Sequence, residues 1–327
     1  MRKFILLMFT VCLCMICTGC AAGNNGENYV EENNIKMGTI CNIKIAADKD
    51  KSKEIFENLW STLDDIEKTM SAKIEDSELS YVNNNAINEE VVISEELYYV
   101  IEKSLYYAEL TEGAFDPAIG NIIDLWKIGT DEARVPEKEE IEKYLGEANY
   151  KNIVLNKDNN SIRFLNDKVK LDLGGIVKGY AADRIKEILI NNYNISSGYI
   201  SLGGNVMTIG KKTDGSMFKI GIQSPYNVNK LDRVVEVCDK TVVTSGDYER
   251  FFIENGIRYH HIIDPATGEP ARSGVRSVTI ITSDSIMADA ISTACFVMGE
   301  DKAKNFIEKL NGKLEEKDYI ESYTIKQ

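Results

Sequence analysis

The sequence is poor in the residues that staple a chain together. Of its seven cysteines, four (Cys12, Cys14, Cys17, Cys20) fall in the first twenty positions, leaving Cys41, Cys238 and Cys295 for the remainder of 327 residues. Three widely spaced cysteines make neither a disulfide framework nor a zinc-ligand spacing. They read as small buried hydrophobes, and nothing supports a Cys41–Cys238 bridge. Histidine is scarcer still, with only His260 and His261. No proline-rich or glycine-rich linker and no internal repeat divides the body, which indicates one domain over residues 35–327. Positive charge is in deficit: 38 Lys and Arg face 52 Asp and Glu, a net charge of −14. An acidic surface repels nucleic acid and anionic lipid. Any polyphosphate ligand would therefore need local neutralisation, by a metal ion or a few placed cations.

The apolar run over residues 4–16 follows Arg2 and Lys3 and ends at Thr18, Gly19 and Cys20. It is too short to span a bilayer, which takes about 20 apolar residues, and it reads as a secretory signal over 1–19. A cysteine directly after Gly19 suggests the bacterial lipoprotein pattern, with Cys20 lipidated, although Cys17 stands where that pattern usually has leucine. The alternatives are an ordinary cleaved signal or an uncleaved anchor. The expected location is the outer side of the bacterial cell membrane, held by the lipid. Residues 20–34, rich in Asn, Gly and Glu, then look like a flexible tether. Losing Arg2 and Lys3 with the leader takes the charge from −14 to −16.

Hydrophobic periodicity predicts a strand over 37–47, helices over 51–70, 97–108, 176–190, 285–298 and 302–310, and a charged helical excursion over 131–146. Short strands are expected at 153–155, 162–165, 169–173, 198–202, 218–222, 233–237, 241–244, 258–263 and 275–282. Strands gather in the second half without a regular βαβ repeat, which favours an α+β fold.

Three segments concentrate polar groups. In Leu171-Asp172-Leu173-Gly174-Gly175-Ile176-Val177-Lys178-Gly179 a strand ends, two glycines follow and a helix begins. Free N–H groups at a helix start attract anions, and Lys178 in the first turn wants an anion nearby. The same residues also make a tight turn capped by Asp172. They lack the Gly-Lys-Ser/Thr of a P-loop and the glycine spacing of a dinucleotide fold. In the second segment Asp289 and Thr293 are four apart among apolar neighbours, so they share one face of a buried helix. A carboxylate and a hydroxyl one turn apart can give Mg²⁺ two oxygen ligands; otherwise Thr293 bonds its own helix and Asp289 pairs with an arginine. The third segment, His260-His261-Ile262-Ile263-Asp264-Pro265-Ala266-Thr267-Gly268, runs a strand into a turn made by Asp264 and Thr267. Only one of the two histidines should face a site, and His261 is the candidate proton carrier. Two polar turns, Gly113-Ala114-Phe115-Asp116-Pro117 and Thr244-Ser245-Gly246-Asp247-Tyr248-Glu249-Arg250, add an aromatic ring and a phosphate-binding arginine; turn chemistry also explains most of each.

In this order, and with Met37-Gly38-Thr39, Met70-Ser71, Asp76-Ser77-Glu78-Leu79-Ser80 and Ser201-Leu202-Gly203-Gly204-Asn205, these segments resemble the ApbE family of FAD:protein FMN transferases. The likeness implies a T-fold-related α+β body with FAD in a cleft. It implies flavin or FAD contacts from Met37, Lys73, Ala114, Phe115, Asp116, Asp172, Lys178, Ser245, Arg250 and the main chain of Ile263. It further implies a metal held by the Gly175 carbonyl, Asp289 and Thr293, and His261 as the catalytic base. Lys73 departs from the family, which commonly carries an aromatic residue there. The implied reaction splits the FAD diphosphate with Mg²⁺ and joins FMN to a Ser or Thr of an exported redox protein, releasing AMP. Water in place of the hydroxyl would make the protein an FAD pyrophosphatase. A flavin-binding lipoprotein without chemistry would leave Asp289, Thr293 and His261 without a task.

Overall fold

The computed structural model describes residues 29–326. Along the chain run β1 (Tyr29–Lys36), β2 (Thr39–Ala46), α1 (Lys49–Met70), α2 (Glu78–Asn85) and β3 (Val91–Val92). Next come α3 (Glu95–Leu110), α4 (Gly120–Trp126), α5 (Lys138–Glu142), β4 (Ile153–Asn156), β5 (Ser161–Phe164) and α6 (Val177–Asn191). The second half holds β6 (Gly198–Leu202), β7 (Asn205–Ile209), β8 (Phe218–Ser224), β9 (Asn227–Val237), β10 (Thr241–Gly246), β11 (Phe251–Glu254) and β12 (Ile257–His260). It closes with β13 (Val275–Thr282), α7 (Ser285–Met298), α8 (Glu300–Asn311) and β14 (Glu321–Lys326).

Seven strands form the main sheet in the order β1-β2-β6-β7-β10-β13-β14. Every neighbouring pair is antiparallel. Alternation along the strands sorts their side chains. Ile200, Met207, Val243 and Ile280 enter the large core shared with α1, α6 and α7. Their sequence neighbours Tyr199, Val206, Val242 and Ile281 pack with Phe218, Ile222 and Val237 of the β8–β9 hairpin on the opposite face. The sheet is thus covered by helices on one side and by a hairpin on the other. In α1 the spacing of Ile55, Leu59, Leu63, Ile66 and Met70 makes one buried stripe. Each fully buried leucine of that stripe contributes about 1.5–3 kcal/mol. Helix α7 is buried along most of its length, from Ser285 to Phe296, and ends at Gly299 with φ +79°.

A satellite cluster positions the histidine segment. Ile122 and Trp126 of α4, Ile141 of α5 and Ile263 pack together, with Phe252 and Tyr259 of the β11–β12 hairpin against them. The Trp126 indole N–H donates to the Gly268 carbonyl at 2.8 Å, tying down the turn that follows the histidines.

The α+β architecture and most elements stand where the sequence places them, and several boundaries are corrected. Strand β1 pairs with β2 from Tyr29↔Ala46 to Lys36↔Thr39, so residues 29–34 belong to the sheet rather than to a tether. Residues 169–173 form no strand; a single bridge joins Lys170 to Ile119. Of the helical stretch expected over 131–146, only α5 is helical. Strands β3, β7, β11 and β14 and helices α2 and α4 are additions. The signal over 1–19, Cys20 and the rest of the tether lie outside the described residues. No described helix is long and apolar enough to cross a membrane. Cys41 and Cys295 are buried and Cys238 half-buried, all as free thiols.

Candidate active site

The site grows from the seam between α6 and α7. Ahead of α6, the Asp172 carboxylate accepts from the Gly174 N–H at 2.8 Å, so the capped turn is real. Gly179, in the first turn of α6, lies so close to α7 that a Cβ there would collide with the Ser285 carbonyl. That backbone contact lets the Gly179 N–H donate to Asp289 Oδ2 at 2.9 Å. Gly175 is less tightly confined, since a Cβ on it would sit 3.1 Å from the Phe115 ring and 3.6 Å from Thr293 Oγ1.

Asp289 is 4% exposed. A buried carboxylate costs several kcal/mol unless paired and hydrogen-bonded, and here both oxygens are met. Oδ1 accepts from the Asn205 amide at 3.1 Å and faces the Lys178 ammonium at 3.7 Å. The sequence offered an arginine as the structural partner of Asp289; the partner is Lys178, which explains a cation in the first turn of a helix. Thr293 Oγ1 donates to the Asp289 main-chain oxygen at 3.2 Å, as a threonine does within its own helix, and Ser245 Oγ lies 3.4 Å away. Ser245 is held in turn by Ser292 at 2.8 Å. Gly175 thus neighbours Thr293, with Asp289 one helical turn away, and the ligands these three residues can offer are all oxygen. That is the chemistry of a hard cation such as Mg²⁺, which takes few protein ligands and completes its shell from substrate and water. No three of the described His, Cys, Asp and Glu side chains come together as a metal cage.

The histidines separate as strand alternation requires. His260 is 3% exposed, edge-on to Phe296, with Nε2 3.0 Å from the Ala271 carbonyl. Burial pushes its pKa down to about 4. His261 is half-buried, and its main chain donates to the Arg250 carbonyl at 3.1 Å. Desolvation first, then the charges of Arg250, His260 and Lys178, push its imidazole down to about 3. It is neutral at physiological pH, and the solvent that reaches this half-buried ring weakens the desolvation that lowers it. Nδ1 stands 3.3 Å from the Arg250 carbonyl; a proton carried there leaves Nε2 as the acceptor.

Beside them Glu249 is exposed at the surface, coupled to Lys178, Arg250 and Asp289. Desolvation raises its carboxyl to about 7, Lys178 and Arg250 oppose the shift and Asp289 adds to it; the solvent that reaches this side chain weakens the desolvation.

The remaining candidates divide. Phe115 is buried against Gly175, so the turn from Ala114 to Asp116 does border the seam. The Asp116 carboxylate, however, accepts from the N–H groups of Ala118 (2.8 Å) and Tyr150 (3.0 Å), and burial raises its pKa to about 6. Both oxygens are engaged in holding that turn. Met37 has φ +53° and its N–H donates to Glu67 at 2.9 Å. The β1–β2 turn abuts the β6–β7 turn, where a Cβ on Gly203 would lie 2.6 Å from Thr39 Oγ1. Ile263 is buried, with its main chain bridged to Pro270. Asp264 and Thr267 make the turn expected of them, accepting from Ala266 (2.9 Å) and Glu269 (3.3 Å). Lys73 is exposed after α1, and no contact ties its side chain to the other candidates. Two cavities, of about 550 and 230 Å³, lie by the β4–β5 hairpin and beside Asn83 and Lys170, away from all of these residues. Sequence reasoning gave no role to Asn205, Gly179 or Glu249; the first two hold Asp289, and only their three-dimensional meeting reveals it.

This α+β body is the architecture of the solved ApbE structures. The ApbE protein of Thermotoga maritima superimposes with a TM-score of 0.84 at 37% identity, covering 91% of this chain and 94% of that one. The flavin transferase ApbE of Vibrio cholerae gives 0.78 at 28% identity, covering 91% and 97%. The sequence profile of the ApbE family matches residues 37–316, and the chain belongs to that family. Among curated relatives, the FAD:protein FMN transferase of Treponema pallidum is 34% identical over 92% of this chain and 88% of its own length. That of Haemophilus influenzae is 32% identical over 84% and 82%.

Proposed function

We propose that the protein is a magnesium-dependent FAD:protein FMN transferase, lipid-anchored through Cys20 on the outer side of the cell membrane. Its acceptor would be an exported redox protein bearing a Ser or Thr attachment site. The observation that carries the reading is the convergence of Gly175, Asp289, Thr293 and Lys178 at the α6–α7 seam, in a chain of the ApbE family.

FAD joins its flavin and adenosine halves through a diphosphate. Lys178 and Arg250 would receive its charge, together with the N–H groups at the start of α6. The Gly175 carbonyl, Asp289 and Thr293 would hold Mg²⁺, which when bound neutralises the diphosphate and stabilises the departing AMP. The acceptor hydroxyl oxygen bonds to the flavin-side phosphorus as the bond from that phosphorus to the bridging oxygen breaks, and AMP leaves. His261 takes the hydroxyl proton, help typically worth about 10²–10⁴-fold. Holding hydroxyl and phosphorus in line supplies the larger share.

The test is incubation of the purified protein with FAD and Mg²⁺, with and without an acceptor domain, following AMP and the acceptor's mass. An FMN-sized mass gain on a Ser or Thr that requires Mg²⁺ is expected. Equal AMP release without acceptor would make the protein an FAD pyrophosphatase; intact FAD would leave only a flavin-binding role.

A further inference from the structure

We infer that Asn205 is a positioning residue for the metal, fixing the Asp289 carboxylate in the orientation in which it receives the ion. The inference rests on the magnesium reading above.

Asn205 opens β7 directly after the Gly203-Gly204 turn and is 2% exposed. Along β7 its same-face neighbours are Met207 and Ile209, both buried in the large core. The position is therefore one where an apolar residue is the default, and it carries an amide instead. That amide donates to Asp289 Oδ1 at 3.1 Å, while the Gly179 N–H donates to Oδ2 at 2.9 Å. Three elements (β7, α6 and α7) thus meet at one carboxylate. The terminal torsion of an aspartate is broad and roughly two-fold when nothing holds it. With one donor on each oxygen the plane is fixed, and because an ionised carboxylate offers about four lone-pair sites, capacity remains for a cation. Lys178 cannot replace the amide, since at 3.7 Å it is beyond hydrogen-bond length and acts as a charge. Partners that orient a metal ligand in this way are typically worth about 10–100-fold in metal affinity or activity.

The experiment compares wild type with Asn205→Leu, close in volume but without the donor, and with Asn205→Ser, which is smaller, stays polar and falls short of Asp289. Three quantities are measured: the Mg²⁺ concentration at half-maximal AMP release, Mn²⁺ binding without FAD by electron paramagnetic resonance, and FAD binding in EDTA by flavin fluorescence. Asn205 as a positioning residue raises half-saturating Mg²⁺ and weakens Mn²⁺ binding by about 10–100-fold. The loss appears in the metal dependence rather than in kcat at saturating Mg²⁺, and FAD binding in EDTA is retained. A purely structural role would lower the melting temperature without that split. Metal affinity equal to wild type in either folded variant overturns the inference. A wild-type protein that neither binds Mn²⁺ nor needs Mg²⁺ overturns the magnesium reading instead.

Discussion

The two halves of the site are built differently. The side proposed for the metal is a seam of backbone against backbone, where Gly179 touches Ser285 and a 4%-exposed carboxylate has a donor on each oxygen. The histidine side is a two-stranded hairpin, β11–β12, whose Ile253 and Ile257 are 61% and 47% exposed. It is held at its base by the satellite cluster and by Asp247, which pairs with Arg276 at 2.7 Å and Arg258 at 3.2 Å. A transferase has to orient one small diphosphate closely and admit a whole protein to the attacking side. On the proposed function the rigid seam would handle the charge and the open hairpin would admit the acceptor.

Removing a group from each half tests that division, and the metal side should show the larger loss. Asp289→Ala takes away the only carboxylate of the oxygen set. Charge stabilisation by a catalytic metal is worth several kcal/mol, so Mg²⁺-dependent AMP release should fall by about 10³-fold or more. The fold should persist by circular dichroism; undiminished release would remove Asp289 from the site. His261→Ala should cost about 10²–10⁴-fold in the transfer rate while FAD binding holds. Measured by stopped assay and flavin fluorescence, equal loss of both would demote His261 to packing.

The same contrast decides what the sequence could reveal. The α6–α7 seam was legible because its chemistry is local: Asp289 and Thr293 lie one turn apart, and Gly174 and Gly175 precede a helix start. Lys178 was legible as a cation wanting an anion, though the anion proved to be Asp289, far along the chain, the residue that also meets Gly179. Asn205 was quoted in a motif yet given no task, since no periodicity announces which distant carboxylate an amide will meet. Strand β1 escaped because its sequence is polar at an edge; its order comes from pairing with β2 and from the Trp60 indole donating to Glu32 at 3.0 Å. Asp116 shows the converse: its motif suggested cofactor contact, and no local pattern announced that its carboxylate would also accept from the Tyr150 N–H, 34 residues along the chain.

Smaller effects should come from the hairpin's anchors. Asp247→Ala removes the carboxylate partner of Arg258 and Arg276, which are 32% and 15% exposed. Breaking a fully buried pair costs about 3–5 kcal/mol; partial exposure of both arginines brings this to about 1–3 kcal/mol by urea unfolding. The transfer rate should fall more than the metal requirement changes, because the anchor serves the histidine half. A shift in half-saturating Mg²⁺ as large as that of Asn205→Leu would erase the division between the halves.

The smallest effect is a pH dependence. His260 has a folded pKa near 4, below the ordinary value of 6.5, because burial disfavours its charged form. Between those values the unfolded chain takes up a proton that the folded chain refuses, so stability is full above about pH 6.5 and is lost as pH falls toward 4. Asp116 and Asp183, raised to about 6 and about 7, act in the opposite direction, since the folded protein then binds protons first. The whole protein's profile therefore mixes both signs, and the histidine must be isolated by difference. His260→Gln should narrow the stability gap between pH 8 and pH 5 by about 1–2 kcal/mol relative to wild type. Parallel profiles for the two proteins would mean that His260 is solvated in the folded state, and that the base of the hairpin is as open as its tip.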